Sequence, residues 1–243
     1  MNGDARCLEL QARFTDGPAA LDSKRLCDVC ADVAQMTGAG IMLMSGDIRR
    51  GSLCTTNEVS ALIEELQFSL GEGPCLDAFH HDRPVLEPDL ANPTEMRWMA
   101  FSTPALDAGV RAIFGFPLRV GPVKLGALNL YRDQPGALTD AQHADSLSVA
   151  DIVAGSLIGM QANATPGQLA PEFEVGADFE FVVHQASGMV AAQLGVSVAQ
   201  ALIRMQAHAF GNDRSLRSVG RDVVDRSLRF DPADPITELQ RKD

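Results

Sequence analysis

The sequence predicts an α+β domain, built on an antiparallel sheet with flanking helices, followed by an all-α three-helix bundle. Three observations carry that expectation. Two stretches of alternating apolar residues, VRAIFGFPLRV and KLGALNLYR, meet at Gly121-Pro122, a tight-turn signal. Helical patterns lie before and after them, at 21–36 and 139–161. A proline- and glycine-bearing stretch, NATPGQLAPEFEVG at 163–176, then sets three short helical segments apart from everything before it. The 243 residues suit two modest domains, and 46% hydrophobic residues suffice for a real core.

Residues 1–19 have weak periodicity and read as a loose arm. Leu21 to Met36 read as a helix, capped by Asp22 or Ser23 and stopped at Gly38-Ala39-Gly40. GIMLMSGD is a buried strand, with SLCTT its hairpin partner across Asp47–Gly51. Asn57 caps the helix EVSALIEELQFSL. GEGPCLDAFHHDRPVLEPDL reads as a glycine-rich turn, a short helix from Cys75 and a short strand at Pro84–Glu87, and another helix spans about Glu95–Ala108. After the two good strands, Thr139-Asp140 opens a long helix whose stripe is Val149, Ile152, Val153, Ser156 and Met160. That stripe either packs on its own sheet or pairs with a second copy. The expected arrangement is helices on one face of the sheet and a ligand pocket on the other, over residues 20–162.

The second domain is expected at 177–230, with a polar tail at 231–243. Its first helix runs from about Phe179 to Leu194 and stops at Gly195. Ser197 and Gln200 form a capping box for the second, whose stripe is Val198, Ala201, Leu202, Met205 and Ala209. Gly211-Asn212 ends it. Ser215 opens the third, with Leu216, Val219, Gly220 and Val223 as its buried face. Each helix is too short to be stable alone, so the three must pack together.

Charge divides the chain. The whole carries −12, but residues 181–230 hold six arginines, no lysine and three aspartates, a local 6 − 3 = +3. Arg214, Arg217 and Arg221 fall on one face of the third helix. Guanidinium groups bond phosphate in pairs and stack on bases, which suits RNA loops, although a solvated ion-paired face is the simpler reading of charge alone. The acidic total argues against non-specific duplex DNA binding by the whole protein. With no run of 18 apolar residues and no signal-peptide pattern at the N-terminus, the expected location is the cytoplasm.

The five cysteines (Cys7, Cys27, Cys30, Cys54 and Cys75) are odd in number and widely spaced, which does not suggest a disulfide scaffold. Cys27-x-x-Cys30, on an amphipathic helix pattern with no second such pair and no clustered histidine, reads as buried packing and not a metal or redox motif. Gly71-Glu72-Gly73-Pro74-Cys75 lacks the lysine and hydroxyl of a phosphate loop. It reads as a turn starting a helix over the sheet, with Gly73, Pro74, Cys75 and Trp98 as candidate pocket residues. Cys75 near a helix N-terminus is either buried packing or a reactive thiol. No catalytic triad, metal cluster or carboxylate pair stands out, and His80-His81 alone make a poor metal site. No catalytic residue and no cofactor is assigned.

HQASGMVAAQLGVS, AQALIRMQAHAFGND and SLRSVGRDVV together resemble the ANTAR domain, a three-helix RNA-binding output module of bacterial regulators. The resemblance implies binding to paired stem-loops in leader transcripts, preventing termination of transcription. Ser187 stands where many members carry a basic residue, which moves the expected contacts to helices two and three: Arg204 and His208, four apart, with Arg214, Arg217 and Arg221. Upstream, GEGPCLDA, Asp89-Leu90, Arg97-Trp98, FPLRV and GALNLY resemble a GAF domain of the kind that precedes ANTAR in actinobacterial regulators. The lysine and Asp-Glu pattern of cyclic-nucleotide-binding members is not visible, so no cyclic nucleotide is implied. The resulting expectation is a non-enzymatic, dimeric antitermination regulator whose sensor takes a small molecule or a protein partner. The alternatives are a thiol enzyme of the methionine sulfoxide reductase type, built on several cysteines meeting at one pocket, with Cys54 and Cys75 as the pair to bring together, and a DNA-binding helix-turn-helix regulator.

Overall fold

The computed structural model describes residues 3–15, 23–45, 48–165, 170, 173, 177–212, 214–231 and 237–238. Asp22, Asp47 and Asp213, most of the 163–176 stretch and most of the 231–243 tail lie outside them. The chain divides into two compact units, one of Met1–Phe68 with Glu72–Val175 and the other of Gly176–Asp243 with Ser69–Gly71.

The first unit is built on one antiparallel sheet. Its strands are β1 (Gly38–Ser45), β2 (Ile48–Thr55), β3 (Val85–Glu87), β4 (Ala112–Val120) and β5 (Val123–Arg132), in spatial order β2-β1-β5-β4-β3. Side chains alternate between faces. One face sends Ala39, Ile41, Ala112, Phe114, Phe116, Leu118, Leu128 and Leu130 into a core with α2 (Ser23–Ala34) and α6 (Asp140–Ala162). Phe114 and Phe116 are fully buried there, each contributing about 2–3 kcal/mol by removal from water. The long helix starts as expected: Thr139 accepts from Gln142 N, and Gln142 answers with its side chain in a full capping box. Its expected stripe divides. Val149 and Val153, with Ala150, Ala154 and Leu157, face the sheet core, whereas Ile152 and Met160 are partly buried at its margin.

Two local expectations are corrected. Residues 3–15, expected as a loose arm, form helix α1 (Gly3–Thr15), with Leu10 and Phe14 buried one turn apart. Arg6 donates two hydrogen bonds to Asp145 of α6, at 3.1 and 2.7 Å. The helix exists because α2 and α6 give it a surface, which weak local periodicity could not announce. Cys27 of α2, expected as a packing residue, forms a disulfide with Cys54 of β2. A helix and an edge strand brought side by side made that pair, and nothing in the spacing of the cysteines indicates it.

The opposite face of the sheet is also covered, where an open pocket was expected. It carries α3 (Glu58–Leu70), α4 (Pro74–His81) and α5 (Met99–Asp107). Asn57 caps α3, its side chain accepting from Ser60 N at 2.9 Å. The helix expected from Glu95 begins only at Met99, because Trp98 takes a left-handed backbone, φ 54°, that a helix interior excludes.

The second unit contains α7 (Ala177–Leu194), α8 (Val198–Gly211) and α9 (Leu216–Val224), each packed on the other two. Ser197 and Gln200 make the expected capping box, and Ser215 accepts from Ser218 N. Gly220 of α9 faces α7, where a Cβ would meet Val182 Cγ1 at 3.4 Å and Val183 Cα at 3.5 Å, in ordinary van der Waals contact. A short strand, β6 (Leu228–Arg229), pairs with β7 (Thr237–Glu238). Leu228 and Phe230 are buried, and Phe230 N donates to Gln193 Oε1 at 2.9 Å. The chain beyond α9 thus closes the helical unit.

Candidate functional site

The glycine-rich segment is a wiring point for three helices. Gly73 has φ 135°, a conformation that favours glycine, and a Cβ there would strike Gln67 at 2.5 Å. Pro74 opens α4 at its first helical position, where its missing N–H costs nothing. Cys75 N donates to Gln67 Oε1 of α3 at 2.8 Å. Glu72 accepts from Ala100 N and Phe101 N, at 2.6 and 2.8 Å, and so caps α5. Asp77 accepts from Trp98 Nε1 at 2.9 Å, while the Arg97 guanidinium lies 4.7 Å over the indole and pairs with the buried Glu87. At the other end of α4, Lys124 Nζ donates to Phe79 O at 2.9 Å. The structure therefore brings together Gly73, Pro74, Cys75 and Trp98, the four expected pocket residues, but as packed structural parts.

Beneath this wiring lies a polar row that sequence reading missed. Gly40, Asn129 and Gly115 stand side by side on β1, β5 and β4. Glu64 of α3 fills the space above Gly40, where a Cβ would be 2.6 Å from its carboxylate. The Pro74 carbonyl sits above Gly115, 2.4 Å from the position of a Cβ. Asn129 donates to Glu64 Oε1 at 3.3 Å. Glu64, Gln67 and Asn129 are all buried. Asn129 Oδ1 and Gln67 Nε2 have no hydrogen-bond partner among the described residues, so one acceptor and one donor are held in the interior. The signal was available: Glu64 and Gln67 lie on the apolar stripe of α3 with Ser60, Ile63 and Phe68, and Asn129 occupies an alternating strand flanked by inward leucines.

Cys75 is fully buried, and its thiol is pushed well above the ordinary range, first by burial and then by the nearby Glu64 carboxylate. The geometry corrects the expectation that Cys54 and Cys75 could meet. Cys54 is bonded to Cys27 in the α2/α6 core, where the free thiol Cys30 also lies, so Cys75 is the one cysteine of its face among the described residues. No group of three metal-ligating side chains is found among them either.

In the helical unit, the five expected contact residues separate into two kinds. Arg204, Arg217 and Arg221 are exposed. Arg214 is turned back onto its own helix, donating to Ser218 Oγ at 2.7 Å and pairing with Asp222. His208 corrects the expectation that it shares the open face of Arg204: it is 1% exposed, and its ring meets Phe230 edge to face at 5.6 Å. Being four residues apart was not enough, since Arg204 lies at the rim of the buried arc of α8 while His208 lies within it. Ser187, the position where a basic residue was looked for, is fully buried and donates to His184 O at 2.9 Å. Helix α8 also exposes two large apolar side chains, Ile203 and Phe210, at 61% and 66%. Among the described residues no single helix is long and apolar enough to cross a membrane.

No curated protein shows a match to the chain. Among solved structures, the chain is similar to the GAF domain of a phosphoenolpyruvate-protein phosphotransferase from Acinetobacter, at 12% identity over 68% of this chain and 99% of that one, with a TM-score of 0.47. It is similar to a GAF domain/HD domain protein from Geobacter sulfurreducens, at 13% identity, 62% and 100% coverage and a TM-score of 0.46. It is also similar to a type II free methionine-R-sulfoxide reductase from Thermoplasma acidophilum, at 16% identity, 60% and 93% coverage and a TM-score of 0.42. The family model described as the GAF domain matches residues 20–150, over half of the chain, and the protein belongs to the GAF domain family.

Proposed function

We propose that this protein is a signal-responsive regulator of transcription antitermination, in which the GAF domain governs a C-terminal three-helix RNA-binding bundle of the ANTAR type. A GAF domain supports a signal-sensing role. The observation that carries the output half is the exposure of Arg204, Arg217 and Arg221 on a separate helical unit, in a chain of net charge −12. Guanidinium groups so presented suit the phosphates and loop bases of folded RNA better than the acidic remainder of the chain does. In this reading two stem-loops are held by two modules, so the working species is a cytoplasmic homodimer. Arg214 and His208 serve the fold of the bundle, and contact rests on Arg204, Arg217 and Arg221. The GAF domain takes the signal, a small molecule or a protein partner.

The test is binding of the full chain to a paired stem-loop RNA and to duplex DNA over a range of salt. The wild type binds RNA with a steep salt dependence, and Arg217→Ala with Arg221→Ala reduces the slope of log K against log salt by about 1.8. Equal affinity for the DNA, or an unchanged slope in the double variant, overturns the reading.

A further inference from the structure

We propose that the Cys27–Cys54 disulfide is a reversible redox site through which a thiol reductant acts on the sensor domain. This goes beyond the RNA-binding reading and rests on it only for the cytoplasmic setting. Cys54 lies on β2, the edge strand of the sheet, bonded on one side only, to β1. Within that pairing Ile41 faces Cys54 and Met42 faces Ser52, so Leu53 is an extra residue and the ladder slips beside the disulfide. A bulged edge strand is a weakly held element. The bond from Cys54 to Cys27, on the α2 face that also carries Leu26, Cys30, Ala31 and Ala34 into the core under α6, fastens it to the body of the domain beside Leu53, which is buried in the same core.

The two sulfurs are not equivalent. Cys27 is fully buried, whereas Cys54 retains 8% of its surface at the sheet edge. Attack therefore falls on Cys54 Sγ. A dithiol reductant supplies a thiolate that bonds to Cys54 Sγ; the Cys27–Cys54 bond breaks, and Cys27 leaves as a thiolate and takes up a proton. The second thiol of the reductant then displaces Cys54, which is protonated in turn, and the reductant leaves as its own disulfide. Two electrons and two protons have passed to the protein. Oxidised dithiol or oxidised glutathione reverses the sequence. Cys30 and Cys75, both buried, stay as thiols throughout. Reduction leaves β2 held by its irregular pairing with β1 and by Leu53 in the core, and loosens the packing between α2 and β2. In the cytoplasm implied by the proposed function, thiols are kept reduced, so a bond found there is one that is made and broken.

The experiment is thiol trapping of the full-length chain equilibrated in glutathione and dithiothreitol redox buffers, with peptide mapping by mass spectrometry and hydrogen exchange on the same samples. The expected result is that Cys27 and Cys54 convert together and reversibly within the glutathione range, while Cys30 stays reduced. Amide exchange over 48–55 should rise at least tenfold on reduction, and the melting temperature should fall by about 10 °C. Cys27→Ser with Cys54→Ser should reproduce the reduced state, and the wild-type titration decides the matter even if that variant folds poorly. Three results overturn the proposal: both cysteines free in oxidised protein, a bond that no glutathione buffer opens, or a bond that opens without a change in exchange over β2. None of these depends on RNA, so failure here leaves the antitermination reading standing.

Discussion

Replacing Gly115 by alanine is the sharpest test of how the sensor face is packed. The new Cβ would lie 2.4 Å from Pro74 O, 2.7 Å from Pro74 C and 3.2 Å from Cys75 N. All three are backbone atoms at the start of α4, so no side chain can swing away. Relief requires α4 and β4 to part by about 1 Å, and α4 is fastened at both ends by Gln67 and Lys124. Overpacking of this kind costs about 2–3 kcal/mol, which lowers the melting temperature by about 6–10 °C for a domain of this size. Gly155→Ala is the control. It lies in the middle of α6 with nothing within 4 Å of the new methyl, so it should gain about 0.5–1 kcal/mol of helix propensity. Thermal unfolding of the two variants followed by circular dichroism, with hydrogen exchange over α4, measures both. A Gly115→Ala protein that melts within about 1 °C of wild type with unaltered exchange in α4 would refute the packing argument.

Other perturbations follow from the same geometry. Asn129→Ala removes the 3.3 Å hydrogen bond to the buried Glu64 and should cost about 2 kcal/mol by chemical denaturation, more than Asn129→Ser. Buried Cys30 and Cys75 keep their protons in the fold, while the unfolded chain ionises them near their ordinary value of 9.0. Their folded pKa values are raised, so their contribution is fully present below pH 9.0 and is lost as pH rises beyond it, by up to about 1.4 kcal/mol per pH unit for each thiol. Urea unfolding at pH 8, 9 and 10, compared with Cys75→Ala, checks the sign. His208→Ala should lower the melting temperature of the helical unit without changing the salt slope of RNA binding, because its ring packs on Phe230. Arg217→Ala should change the slope by about 0.9 and leave melting within about 1 °C, which is the opposite pattern.

Much of this protein is written locally. The capping boxes at Thr139 and Ser197, the Asn57 cap, the tight turn at Gly121 and the alternation of β4 and β5 are satisfied by neighbours in the chain, so the elements they bound could be read from residues within a few positions of each other. The same holds for the buried face of α9, Leu216, Val219, Gly220 and Val223. What only the tertiary structure decided involves partners distant in sequence. Helix α1 needs Asp145 of α6 to hold its Arg6, and the disulfide needs α2 laid against an edge strand. His208 is buried because Phe230, 22 positions later, returns to cover it. The polar row of Glu64, Gln67 and Asn129 arises because Gly40 and Gly115, on strands either side of β5, leave room for α3 and α4 to descend onto the sheet. Caps and periodicities act through single hydrogen bonds and one helix face, whereas burial is a property of what comes to lie opposite, and a chain specifies that only by folding.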